Sequence, residues 1–450
     1  MGRLFGTDGA RGVANTELTC ELAMQIGRAA AVVLLKADGK RPKVLIGKDT
    51  RASGDMLEAA LTAGLCSVGA DVHLLGVVPT PAVAYLASFY EADAAVMISA
   101  SHNPCEYNGI KIFNGEGFKL SDALEEQIEA IVLDHAGEIP NPVGGDVGRV
   151  FTCDRAVEDY VRHLLSSVDV ELSGLHIAVD CANGAASKTA KKLFEALGVR
   201  CEFIGRDPDG VNINAGCGST CLEPLVSYVK KHRLDGGVAF DGDADRCLAV
   251  DENGTVLDGD QMIAAMAYDL KKQGKLNGNT AVVTVMSNLG FFRCCENNGI
   301  DVASTKVGDR YVLEEMVKED YMIGGEQSGH IILREYATTG DGQLSALQLL
   351  CMSRRLGWKL SRIGTLMERY PQVLVNVHAD TAQKALYAAD EEIKKLIADT
   401  DEALGRDGRV LVRPSGTEPV IRVMVEGREF DAINEAAVAV CNAIKAKIGG

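Results

Sequence analysis

Three times along the chain, strands and helical stretches alternate until an apolar strand runs directly into a short polar loop. "AAVMIS" (94–99) leads into "ASHNP", "GGVAF" (236–240) into "DGDADR", and "YMIGG" (321–325) into "EQSGH". Continuous apolar strands alternating with helical patterns predict, in each round, a largely parallel sheet covered on both faces. Beyond Pro371 the pattern changes. "QVLVNVH", a helix from Thr381 to about Ile397, two strands flanking "RPSGTEP" and a helix over 429–446 predict a smaller α+β unit. Ligands of open α/β sheets sit beyond the carboxyl ends of the strands. The three loops and "RPSGTEP" are therefore expected to wall one central cleft.

Composition narrows the partners. With 450 residues, the chain has room for three or four domains. A net charge of −17 argues against non-specific nucleic-acid binding, which needs a basic surface. Any anionic ligand must be held by a local cluster of cations and backbone N–H groups. No apolar run reaches the roughly 20 residues needed to cross a bilayer, and "MGRLFGTDGARG" has no leader pattern. The thirteen cysteines lack a repeated spacing and read as reduced thiols. The chain is expected in the cytoplasm.

"DGDADR" sets Asp241, Asp243 and Asp245 at alternating positions after a buried strand. Carboxylates so close repel when ionised, and a hard divalent cation relieves this; open coordination positions suit Mg²⁺ holding a phosphate oxygen. An EF-hand ending at Glu252 fails, because Arg246 stands where its loop needs glycine. "RPSGTEP" offers Arg413, Ser415, Gly416 and Thr417, with Arg422 on the next strand: a phosphate cradle, or a plain Pro-Gly turn. "GEQSGH" offers Glu326, Gln327, Ser328 and His330, polar groups on flexible backbone that suit a polyol or an ordinary turn. In "SASHNP", His102 follows Ser101 directly, and successive side chains usually diverge. With no G-x-S-x-G elbow, a serine facing a metal site and a phosphate cradle points to phosphoryl transfer instead. Local chemistry does not choose between Ser99 and Ser101.

Together with "FGTDGARG" (5–12), "NGIKIF" (108–113) and "DPDGVNINAGCGS" (207–219), these motifs closely resemble the α-D-phosphohexomutase superfamily over nearly the whole chain, nearest its amino-sugar branch. The resemblance implies three related mixed α/β domains (1–150, 151–255, 256–368) and a smaller α+β C-terminal domain (369–450). It implies that Ser101 is the phosphorylated residue, adding a phosphate oxygen to the metal ligands Asp241, Asp243 and Asp245. Arg11, Lys111 and His330 become the candidates for proton transfer or charge stabilisation, with His102, Asn103 and Arg246 beside them. Asp8, Lys48, Arg51, Asn108, Lys306, Asp309 and Arg310 are further polar candidates.

The implied reaction interconverts glucosamine 6-phosphate and glucosamine 1-phosphate, on the way to UDP-N-acetylglucosamine and cell-wall precursors. It needs Mg²⁺, with glucosamine 1,6-bisphosphate or glucose 1,6-bisphosphate as intermediate or activator. The implied partners are a hexosamine phosphate and an activating phosphoryl donor or kinase, with no nucleic acid and no membrane. Rival readings are activity on mannose or glucose phosphates, a metal-dependent phosphatase using Asp243-Ala244-Asp245, and a non-catalytic sugar-phosphate sensor.

Overall fold

A computed structural model of the chain describes residues 3–6, 8–34, 41–415 and 419–449. They fall into two compact units: Met1–Met286 with Ile300–Leu366, and Ser287–Gly299 with Met367–Gly450. Among the described residues, no helix is long and apolar enough to cross a membrane.

The larger unit holds three sheets. The first orders its strands Ala10–Val13, Tyr107–Asn114, Ala94–Ile98, Lys43–Lys48, Asp71–Val77 and Val150–Thr152. The second runs Val256–Leu257, Cys247–Asp251, Gly236–Phe240, His176–Asp180 and Arg200–Ile204. The third runs Asp301–Thr305, Thr280–Thr284, Ile323–Gly325 and Ile331–Leu333. All three are mixed, which corrects the largely parallel expectation. The reason is the same in each: the polar loop turns the chain straight back. Ala94–Ile98 pairs antiparallel with Tyr107–Asn114, Gly236–Phe240 with Cys247–Asp251, and Ile323–Gly325 with Ile331–Leu333. Each loop is thus a hairpin tip at the carboxyl end of a buried strand. The fold class is that implied by the family motifs: three mixed α/β sheets with helices, then a smaller α+β part.

Local chemistry explains the elements that position these tips. Ala94–Ile98 and Gly236–Phe240 are buried at every residue, which is why they read as unbroken apolar runs. Helices Cys20–Leu34 and Ser53–Ser67 supply Ile26, Leu57 and Leu61 to the core over Ile46, Val96 and Ile98. Burying each such side chain contributes about 1.5–3 kcal/mol. Helix Gly259–Lys272 starts at a capping box in which Asp258 and Gln261 satisfy each other's backbone N–H groups.

In the smaller unit, Gln372–His378, Val420–Gly427 and Gly408–Pro414 form an antiparallel sheet covered by helix Phe430–Ile448. The single helix expected from Thr381 is two, Thr381–Ala389 and Glu391–Leu404. Asp390 breaks it, its carboxylate accepting the N–H of Ile393 at 3.0 Å as an N-cap.

Candidate active site

Strand Ala94–Ile98 delivers Ser99 and Ser101 to different partners. The Ser99 hydroxyl donates to Asp49 Oδ2 at 2.7 Å and accepts the Ser101 N–H at 2.9 Å. The Ser101 hydroxyl donates to Asp241 Oδ2 at 2.6 Å. Ser101 sits at φ +53°, a left-handed conformation that costs a non-glycine residue on the order of 1 kcal/mol. The loop is held in it from two sides: its carbonyl accepts from Arg51 Nη2 and from Asn214 Nδ2, each at 2.9 Å. The same two donors reach the carbonyl of Asn103, at 2.8 and 3.0 Å. This twist also corrects the expected divergence of Ser101 and His102, because His102 Nδ1 lies 3.3 Å from Ser101 Oγ. Burial, aided by Arg246 and Arg11, lowers the His102 imidazole to about 4, so it is neutral near pH 7.

Asp241, Asp243 and Asp245 are buried, and each offers a carboxylate oxygen within 4.8 Å of the others. Gly242 permits the approach, since a Cβ there would lie 2.5 Å from the carbonyl oxygen of Ser101. Burial, with Asp245 and Asp243 beside it, holds the Asp241 carboxyl well above the usual carboxylate range. Asp243 feels the same burial, but Lys111 at 2.8 Å and the Thr80 hydroxyl at 2.6 Å pull it below that range. Oδ1 of Asp243 and Oδ1 of Asp245 are buried without a hydrogen-bond partner among the described residues. Such orphaned oxygens, in an all-oxygen set, fit a hard divalent cation. Glu252 is no part of this; it accepts from the N–H and hydroxyl of Ser361.

A chain of ion pairs leads away from the triad. Lys111 Nζ lies 3.0 Å from Asp8 Oδ2 and 3.4 Å from Asp245 Oδ2, and Arg11 pairs with Asp8. Burial works against the Lys111 charge, but Asp243 and Asp8 outweigh it and the ammonium persists. Lys119 bridges Asp8 Oδ1 at 2.6 Å and Asp309 Oδ2 at 2.5 Å. Asp309 in turn lies 3.4 Å from His330 Nε2, which accepts the Gly340 N–H at 3.3 Å. His330 Nδ1 is buried without a partner among the described residues. Arg246 donates its backbone N–H to Asp241 Oδ1 at 3.2 Å, with its Nε 3.9 Å from Asp245 Oδ1.

The "GEQSGH" tip is tied to the aspartate tip. Arg246 and His330 form a β-bridge, and the Cys247 N–H donates to the Gly329 carbonyl at 3.0 Å. Glu326 Oε1 accepts the Gly308 N–H at 3.1 Å, and Gln327 Nε2 lies 3.3 Å from Asp258 Oδ2. Ser328 Oγ is buried without a partner among the described residues. Three of the four expected walls therefore meet within the larger unit.

Of the fourth motif, Gly416 and Thr417 lie outside the described residues. Ser415 is buried, its N–H on the Val420 carbonyl at 2.8 Å. Arg413 and Arg422 sit directly opposite each other in antiparallel register. Like charges so placed repel; burial and Arg422 together lower the Arg413 guanidinium. An anion between them would relieve both.

Several partners escaped the sequence reading. Asp49, Thr80 and Lys119 carry no motif signal of their own, and Asn214 was legible only as part of "NINAGCGS". Asp8, Arg51 and Asp309 join the network. Lys48 instead pairs with Asp55 and Glu58, Asn108 with the Ser53 hydroxyl, Arg310 with Glu125, and Lys306 covers the Tyr311 ring.

Comparison with known proteins matches four family profiles in chain order. Phosphoglucomutase/phosphomannomutase alpha/beta/alpha domains I, II and III match residues 2–137, 158–254 and 258–370, and the family's C-terminal domain matches 374–443. A phosphoglucosamine mutase of Clostridium novyi is 54% identical over 447 residues, covering 99% of both chains. One from Acetivibrio thermocellus is 53% identical, covering 100% of both. Among solved structures, a phosphoglucomutase/phosphomannomutase family protein of Burkholderia thailandensis aligns with TM-score 0.84 at 24% identity, covering 99% of this chain and 98% of that one. An N-acetylphosphoglucosamine mutase of Aspergillus fumigatus, solved with GlcNAc-6P and magnesium, aligns with TM-score 0.68 at 17% identity, covering 99% and 96%.

Proposed function

Because the chain belongs to the phosphoglucomutase/phosphomannomutase family, we propose that it is a phosphoglucosamine mutase, exchanging glucosamine 6-phosphate and glucosamine 1-phosphate through a phosphorylated Ser101. The observation that carries this reading is the Ser101 hydroxyl 2.6 Å from a buried triad of aspartates, in a chain more than half identical, end to end, to phosphoglucosamine mutases.

In the forward direction the sugar's 1-hydroxyl attacks the phosphoryl group on Ser101. That hydroxyl loses a proton as the O–P bond forms, and Ser101 Oγ leaves and regains one, yielding glucosamine 1,6-bisphosphate. The bisphosphate turns over, its 6-phosphate returns to Ser101, and glucosamine 1-phosphate departs. Positioning and charge stabilisation supply most of the rate in such transfers. Arg51 and Asn214 hold the Ser101 backbone. Lys111 and Arg11 are the cations for the transferring group, and His330 and His102 are the imidazoles within the network. Glu326, Gln327 and Ser328 bind the ring hydroxyls, and Arg413, Ser415, Gly416, Thr417 and Arg422 bind the non-reacting phosphate. Asp241, Asp243 and Asp245 hold Mg²⁺, which when bound neutralises charge on the transferring phosphoryl group. Domain limits near 150, 255 and 368, a cytoplasmic location consistent with thirteen free thiols, and a first phosphate from a kinase or a hexose bisphosphate complete the reading.

Phosphopeptide mapping followed by a coupled assay with glucosamine, glucose and mannose phosphates tests it. One phosphoryl group on Ser101 and a preference for the amino sugar are expected. Equal turnover of the neutral hexoses would overturn the substrate, and a phosphoryl group on aspartate would overturn the chemistry.

A further inference from the structure

Resting on the proposed substrate, whose carbon 2 carries an amine, is a question of selectivity: which group tells that amine from a hydroxyl? An alkyl amine of this kind has a pKa near 8 and is largely an ammonium at pH 7, so its natural partner is an ionised carboxylate. Besides the aspartate triad, four carboxylates among the described residues meet the "GEQSGH" tip or the strand after it. Asp341 is buried and occupied by the Leu344 N–H and the Tyr160 hydroxyl. Asp258 caps a helix and meets Gln327. Glu326 is held by the Gly308 N–H.

Asp309, the residue after Gly308, already pairs with an ammonium. Its ion pair with Lys119, at 2.5 Å, falls on Oδ2, and His330 Nε2 lies 3.4 Å from the same oxygen. Its side chain keeps 15% exposure. Burial would raise its carboxyl, but the Lys119 ammonium outweighs this and keeps it ionised. Lys119 is pinned from its far side by Asp8, so it need not leave for a second cation to approach Oδ1. The carboxylate already accommodates one ammonium and presents an oxygen to another, within one residue of the group that steadies Glu326.

We propose that Asp309 is the specificity residue for the amino sugar, its carboxylate pairing with the substrate's C2 ammonium. The test is the ratio of kcat/KM for glucosamine 6-phosphate to that for glucose 6-phosphate, in the phosphorylated enzyme with Mg²⁺ present. These substrates differ only at carbon 2, so damage to folding or to the phosphoryl chemistry lowers both together and leaves the ratio alone. Asp309→Asn is expected to cut the ratio about tenfold to a hundredfold, the loss of one charge-assisted contact. The Lys119→Met/Asp309→Asn double variant removes both members of the ion pair while Asp8 keeps Lys111 and Arg11, and should show the same collapse. A wild-type enzyme without preference overturns the proposed function. A wild-type preference that survives unchanged in both variants overturns the role of Asp309 alone.

Discussion

Ser99 and Ser101 are chemically alike and two residues apart, and what separates them is where their hydroxyl protons go. Ser99 is committed to Asp49, fifty positions upstream, and Ser101 to Asp241, 140 positions downstream. No window of sequence contains either fact, which is why local chemistry does not choose between the two. Ser101→Ala should therefore abolish both turnover and phosphorylation, read by intact mass and coupled assay. Ser99→Ala should keep the phosphoryl group on Ser101. It should lower stability by about 1–3 kcal/mol, because the Ser101 N–H loses a buried acceptor; phosphorylation lost in Ser99→Ala with the fold intact would contradict this division. The triad makes a second prediction. Chelation with EDTA should stop turnover yet leave the circular dichroism spectrum unchanged, since Lys111 and Thr80 keep Asp243 paired without a metal. Undiminished activity in EDTA would remove the need for the cation.

At the scale of elements, strands with unbroken apolar runs and helices with clear caps were legible, and elements defined by a distant partner were not. "NGIKIF" was recognised as a motif but not as a strand, because its half-polar sequence becomes buried only by pairing with Ala94–Ile98. Helix Asp122–Asp134 was missed for a related reason: its buried face includes a carboxylate, Glu129. That carboxylate accepts the backbone N–H groups of Arg3, Leu4 and Phe5 at 2.9, 2.7 and 2.8 Å. It fixes the segment that continues into Asp8 and Arg11. Burial would raise the Glu129 carboxyl, but these three bonds prevail and depress it. A depressed carboxyl stabilises the fold above the unfolded value, about 4.3, and the contribution is lost as pH falls through the lower folded value. Glu129→Gln should cost about 2 kcal/mol at pH 7. The gap to wild type should narrow in acid, where wild type loses the same charge. Urea titrations at pH 7 and pH 3 measure both; an equal gap at the two pH values would refute the assignment.

At the scale of the whole molecule, chain order and packing disagree at one place. Helix Leu289–Asn297 lies in sequence between strands Thr280–Thr284 and Asp301–Thr305 of the third sheet, yet its compact unit is the one built from Met367 onward. Pro371 and the change of pattern near it were visible in the sequence; the capture of this helix was not, because it rests on partners far away in the chain, a buried acid chief among them. Glu426 is fully buried and accepts from Asn288 Nδ2 at 3.0 Å, the Leu289 N–H at 3.1 Å, Gln372 Nε2 at 3.2 Å and Arg409 Nε at 2.5 Å. Asn288 also exchanges hydrogen bonds with the backbone of Tyr370, at 2.9 and 3.0 Å. Removing one partner of a buried ion pair costs about 3–5 kcal/mol, because the other is left uncompensated. Glu426→Ala removes the carboxylate that Arg409 shares with Asn288 and the Leu289 N–H at the start of the helix. For a unit of this size, each kcal/mol moves the midpoint by about 4–8 °C. Calorimetry should therefore show the smaller unit's transition falling by more than about 10 °C while that of the larger unit stays in place. If instead the larger transition moved and the smaller did not, helix Leu289–Asn297 would belong mechanically to the sheet that flanks it in sequence.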